Sequence, residues 1–255
     1  MDETRPALPK RVLIMVLLAV SIQIPPIFEL LVKQNMYSHS SVATRWLVVD
    51  LVVFVAIIVW ATHLFYKYRR WTPRPQGVGS RLGWLIGGYL VMIAGEDVLA
   101  ILNQAIYHQS QTTNNQTIAN LMGSSSLMMM LVAGSGILLS PVAEELIFRG
   151  VLMNLFFKDD AVWPPILLSG VVFTLEHAST TPVSYLIYFF MGAVFAFVYR
   201  KTGHLATSSP STCSITSWRW RSCSTYDKYN LEGAGKSVFP SLLLYSQMLD
   251  RKRSR

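Results

Sequence analysis

An all-α, polytopic transmembrane bundle is what this sequence predicts, and three observations predict it. Hydrophobic residues make up 52% of the 255 and charged residues only 14%, too apolar a balance for an ordinary water-soluble domain. Several apolar stretches approach or exceed the roughly 18–20 residues that a helix needs to cross a bilayer. The basic residues behind the net charge of +8 cluster at the ends of those stretches. That pattern is topology, and it argues against a phosphate-binding groove for nucleic acid. The expected partner is the lipid bilayer.

Residues 1–11 read as a short cytoplasmic lead ending in Lys10-Arg11, with no convincing signal-peptide cleavage site after it. Residues 12–207 read as one transmembrane domain. Its first span is Val12–Val32, kinked at Pro25-Pro26, with Glu29 near its far end and expected at the interface. Trp46–Tyr66 is a second span, rich in Val and Ile. The following loop, 67–81, carries Lys67, Arg69, Arg70, Arg74 and Arg81 and no acid, which makes it cytoplasmic by the positive-inside rule. Leu82–Leu102 is the third span, interrupted by Gly95-Glu96-Asp97. Those acids have two readings: a polar contribution to a cavity, or the end of a tilted helix reaching the headgroups. Their place within about two turns of the segment's end favours the second.

Asn103–Ser126 is rich in Gln, Asn, Thr and Ser, carries no charge other than that of His108, and reads as an outer loop. Asn115-Gln116-Thr117 matches a glycosylation sequon, which has a meaning only in a eukaryotic secretory pathway. Leu127–Phe157 is too long for one straight span, and Ser140-Pro141 is the expected break, proline suiting the first turn of a new helix. Trp163–Ala178 returns, and Val183–Tyr199 follows, closed by Arg200-Lys201. The count is six main spans with both ends cytoplasmic. His204, just outside the last span, reads as interfacial.

The chemistry concentrates in Pro141-Val-Ala-Glu-Glu-Leu-Ile-Phe-Arg-Gly150. Ionisable residues inside a transmembrane segment are costly and mark a functional site by default. Glu145 and Arg149 stand four apart on a helix and can pair, while Glu144 points about 100° away toward a different neighbour. On this reading the pair also sits near a helix start, where the dipole favours negative charge. Phe173-Thr-Leu-Glu-His177 supplies the second half: His177 closes an apolar segment and can meet Glu144 across a helix interface. A carboxylate and an imidazole in a shielded pocket can activate water, directly or through a metal. Intramembrane Glu–Arg pairs also serve as helix–helix glue and in transporters, but the internal repeat of many transporters is not apparent.

Glu-Glu-x-x-x-Arg followed by Phe-x-x-x-His on the next hydrophobic segment resembles the CPBP family of intramembrane proteases. That group includes the CAAX prenyl endopeptidases and the bacteriocin self-immunity proteins. The resemblance covers residues 127–207. It implies an endopeptidase that hydrolyses peptide bonds of membrane-associated, CAAX-type or related, substrates in a bacterial cell membrane. Glu144 and His177 would activate the attacking water, Glu145 and Arg149 would orient the site, and Phe173 would wall the cavity. The family is often called metalloprotease, which implies a divalent metal such as zinc on Glu144 and His177. Zinc usually takes three protein ligands, however, so a metal-free Glu/His mechanism is equally open. Bacteriocin self-immunity and a non-catalytic remnant are the alternative functions.

Residues 208–255 depart from the family. A further motif, His-x-x-x-Asn, is expected on another membrane helix, yet the chain from Ser208 to Cys223 is polar and basic. Taken as written, 208–255 is a disordered tail. Cys213 and Cys223 lie there and fix no redox compartment. A one-base shift of reading frame near Ser208 gives a different result. Read one base earlier, the junctions before Trp218, Trp220 and Cys223 encode Leu, Met or Val, and Ser211-Thr212 and Ile215-Thr216 become compatible with His and Asn four codons apart. Loss of such a donor typically lowers a rate by about 10²–10³, so the chain as written is expected to be a weak or inactive member.

Overall fold

A computed structural model of the protein describes residues 6–69, 76–158 and 161–205. The elements there are helices: α1 (Leu8–Ile22), α2 (Ile24–Asn35), α3 (Ser40–Tyr68), α4 (Val78–Tyr107), α5 (Thr113–Met122), α6 (Ser126–Phe156), α7 (Trp163–Leu175) and α8 (Pro182–Thr202). Five segments are long and apolar enough to cross a membrane: α1 with α2, then α3, α4, α6 and α8. They mark an integral membrane protein. The expected sixth, α7, is a shorter apolar helix of 13 residues. At 1.5 Å per residue it reaches about 20 Å, short of a hydrocarbon core about 30 Å thick. Part of the loop 67–81 and all of 208–255 lie outside the described residues.

Each helix begins or bends where its residues require. The proline kink expected in the first span is present, as the helix divides at Gln23 and Pro25 and Pro26 open the first turn of α2. On α3, Val48, Val52, Val55 and Val59 form an exposed stripe at helical spacing. Phe54, Ile57, Ala61, Leu64 and Phe65 are buried. Such a split suits a helix with one side to lipid and one to protein. α8 opens on a capping box in which Thr181 and Ser184 satisfy each other's backbone, with Pro182 in the first turn. It stops at Gly203, whose left-handed φ of 71° releases the chain from the helix.

Two expectations fail here. The stretch Asn103–Ser126 is not a plain loop: α4 runs on to Tyr107, and Thr112 caps the ten-residue helix α5 by accepting from the Asn115 amide. Nor does Ser140-Pro141 break the fourth span. The backbone stays helical from Ser126 to Phe156, with π-helical turns at Ser135–Leu139 and Glu145–Val151. Proline lacks the N–H that would bond the carbonyl four residues back, and its ring clashes with that carbonyl. The widened turn just upstream contains that carbonyl's residue, Ile137, and accommodates the proline without ending the helix.

The bundle closes through glycine contacts. α8 packs along both α4 and α7, and α3 packs against the centre of α6. A Cβ on Gly192 of α8 would stand 2.9 Å from the Phe173 Cβ and 3.0 Å from the Gly170 Cα of α7. A Cβ on Gly95 of α4 would strike the Phe190 ring of α8. Small residues at helix crossings let backbones approach in a membrane, where no hydrophobic effect drives helices together. Gly192→Leu should therefore destabilise the protein by about 1–3 kcal/mol or more through overpacking. Thermal unfolding of the purified protein in detergent checks it: a clear fall of the midpoint is expected.

Candidate active site

The second π-helical turn carries the acid–arginine motif. Glu145 and Arg149 are both buried, and the Arg149 Nη1 stands 3.4 Å from the Glu145 Oε1. The Nη2 of Arg149 donates to the Gly192 carbonyl of α8 at 3.3 Å. The guanidinium lies 4.7 Å from the centroid of Phe173, 5.0 Å from Phe195 and 5.9 Å from Phe148. A weakly hydrated, planar cation among aromatic faces is held by its opposite charge and by the ring quadrupoles together. Arg149 thus ties α6 to α7 and α8.

Glu144 is half-buried and accepts a hydrogen bond from the Ser140 hydroxyl, one helical turn earlier, at 2.7 Å. The expectation that the acid pair sits at a helix start, favoured by the dipole, is corrected. α6 is continuous through it, so Glu145 is compensated by Arg149 and not by a helix terminus. Gly150, next in the motif, is where Phe65 of α3 packs: a Cβ would stand 3.1 Å from that ring.

His177 is half-buried just beyond the end of α7. Its Nδ1 lies 2.7 Å from the Phe173 carbonyl oxygen. A carbonyl can only accept, so Nδ1 carries the proton and the lone pair of the neutral ring falls on Nε2. Phe173 lies beside His177 with ring centroids 4.4 Å apart and meets Phe148 edge-on at 5.5 Å. One aromatic residue therefore lies against both motifs, the arginine of one and the histidine of the other.

Other residues singled out in the sequence lie elsewhere. Glu29, expected at the interface, is buried and accepts from the Ser135 hydroxyl at 2.6 Å, within the first π-helical turn of α6. Glu96 is buried rather than at a helix end, because α4 continues for eleven residues beyond it. Asp97 is half-buried. His204 is half-buried past the end of α8, where burial, with Arg81 and Arg69 nearby, holds its imidazole below the usual histidine range.

Sequence reasoning gave no functional role to four residues that the structure buries or hydrogen-bonds. Asp50 is wholly buried in the middle of α3, and a lone acid in an apolar run was the available signal. Gly192 supplies a carbonyl, Ser140 a hydroxyl and Tyr188 a ring, and a sequence carries no mark of such roles. Among the described residues no group of three or more His, Cys, Asp or Glu is placed to hold a metal ion. Glu144 and His177 alone fall short of the three protein ligands zinc ordinarily takes, so these residues by themselves do not fit a resident zinc.

Residues 124–209 match the family described as Type II CAAX prenyl endopeptidase Rce1-like. Both motifs fall inside that stretch. A Bacillus subtilis (strain 168) protein described as "Putative membrane peptidase YdiL" is 21% identical over 158 residues, 62% of each chain. The match thus spans less than two thirds of that relative's length. No solved structure matches significantly. Both matches are to proteins described as peptidases, as is the family that the motifs resemble.

The buried pair sets a stability test. Glu145→Ala leaves Arg149 charged and buried without its carboxylate and should cost about 3–5 kcal/mol. Removing both charges, as Glu145→Ala with Arg149→Met, should cost less than Glu145→Ala alone. Unfolding of the two variants in the same detergent makes the comparison.

Proposed function

We propose that the protein is an intramembrane endopeptidase cleaving membrane-associated protein substrates, of the CAAX type or related, with Glu144 and His177 activating water. The observation that carries this reading is the shared aromatic hinge: Phe173 holds Arg149 of one motif and His177 of the other within 5 Å of its ring. The His177 Nε2, with its lone pair, accepts a proton from water as general base and can return it to the leaving amine. Glu144, oriented by Ser140, shares in drawing that proton and stabilises the imidazolium. Glu145 and Arg149 touch no substrate; they fix the turn that presents Glu144. Phe148 and Phe173 keep bulk water from the reacting bond, which strengthens each polar contact inside.

Glu144 and His177 are two donors where zinc ordinarily takes three, which favours a metal-free step. The basic loop 67–81 and Lys10-Arg11 support a cytoplasmic placement of those segments. The Bacillus relative supports a bacterial cell membrane. The absence of His-x-x-x-Asn from the sequence after Ser208 favours a second reading, a weakened or non-catalytic member. Resequencing the gene across Thr207–Ser224 distinguishes an out-of-frame tail from a true departure.

Peptidase assays of the full chain in bilayers test the main reading. Glu144→Gln and His177→Gln should each lower the wild-type rate by about 10²–10⁴, the range of a lost general base. A wild-type rate unchanged by both substitutions would leave the non-catalytic reading. Treatment with a zinc chelator should leave the wild-type rate near its starting value; loss restored by zinc would assign the chain a metal after all.

A further inference from the structure

His177 has a second ring beside it, from a different helix. Tyr188 of α8 stacks on the imidazole with centroids 4.3 Å apart and planes 22° from parallel. The Tyr188 side chain is buried, and its hydroxyl is fixed from a third element. The Thr112 Oγ1 lies 2.6 Å from the Tyr188 oxygen, and the Tyr188 hydroxyl donates to the Asn115 Oδ1 at 3.4 Å. Thr112 also accepts from the Asn115 amide at 3.3 Å as the cap of α5.

Those hydrogen bonds close into a small cycle. The Asn115 amide donates to the Thr112 oxygen, the Thr112 hydroxyl then donates to the Tyr188 oxygen, and the Tyr188 proton goes to the Asn115 carboxamide. These bonds tie the phenol oxygen to the cap of α5. Beside the Phe173 ring, two further constraints meet on His177. The Phe173 carbonyl sets which nitrogen is protonated, and the Tyr188 ring sets the plane in which the Nε2 lone pair lies.

We infer that Tyr188 is a positioning residue for His177, anchored through Thr112 to the cap of α5. The inference rests on the proposed function for its catalytic consequence, but its structural content does not. Tyr188 contacts no substrate; it keeps the imidazole from tilting while the base accepts and returns its proton. A misplacement of about 1 Å in a catalytic group is enough to cost on the order of a hundredfold in rate. The segment between α4 and α6, polar and outside the long spans, thereby becomes part of the site's support.

The test is histidine-selective ¹⁵N NMR of the full chain in nanodiscs, with His177 assigned by the resonances missing from His177→Gln. Wild type should show one neutral tautomer protonated at Nδ1, and nuclear Overhauser contacts between the His177 and Tyr188 rings. Tyr188→Phe should keep the stack but lose the hydroxyl anchor, with a kcat between those of wild type and Tyr188→Leu; Thr112→Val should match it. Tyr188→Leu should broaden or average the His177 resonances and lower kcat by about ten- to a hundredfold at unchanged KM.

Absence of ring-to-ring contacts in wild type overturns the inference, even if Tyr188→Leu does not fold. So does a Tyr188→Leu protein whose His177 resonances match wild type. If the NMR differences are as expected while no variant, wild type included, cleaves peptide, the positioning stands and the protease reading fails. If Glu144→Gln abolishes cleavage while Tyr188→Leu alters neither resonance nor kcat, the protease reading stands and the positioning fails.

Discussion

A guanidinium buried among three phenylalanine rings is the constraint around which this bundle is arranged. Arg149 is wholly enclosed, and a charge taken out of water must find compensation on every side. Glu145 provides it along the helix, the Gly192 carbonyl across to α8, and Phe148, Phe173 and Phe195 through their faces. Each partner comes with a demand on the backbone. The Glu145–Arg149 pair lies in a π-helical turn, and the Gly192 carbonyl is within reach because that residue lets α8 settle onto α7.

The histidine inherits its place from the same arrangement. The arginine packs on Phe173, whose carbonyl holds the Nδ1 of His177 one turn later. Tyr188 then closes the imidazole from α8, and Thr112 closes Tyr188 from α5. The order of support thus runs from a buried charge, through an aromatic residue, to a titratable one. Rigidity at the base of this order gives the half-buried histidine a defined direction.

Much of this was legible before any coordinates. The long spans follow from apolar runs that no soluble domain tolerates, and the kink at Pro25-Pro26 follows from proline itself. The pairing of Glu145 with Arg149 follows from a spacing of four. Other readings failed for reasons of context. Ser140-Pro141 looked like a helix break because proline loses one hydrogen bond, yet packing of α3 against the centre of α6 favours keeping the helix intact with a widened turn. Asn103–Ser126 looked like a loop because its residues are polar, although Thr112 offers a cap and Leu121 a buried anchor for a short helix. Glu29 and Glu96 looked interfacial because distance from a segment's end does not reveal which face of a helix meets protein.

The sequence by itself determined the membrane class, the approximate spans and the two motifs, since each depends on hydrophobicity or spacing within a few turns of one helix. Tertiary structure alone decided which residues serve those motifs. Gly192 lies 43 residues from the arginine it receives, and Tyr188 lies 76 from the threonine that holds it. Contacts over such separations depend on how helices cross, and helix crossing is set by small residues and ring shapes acting together. No local pattern encodes that sum, so the support of the site becomes visible only when the helices are packed.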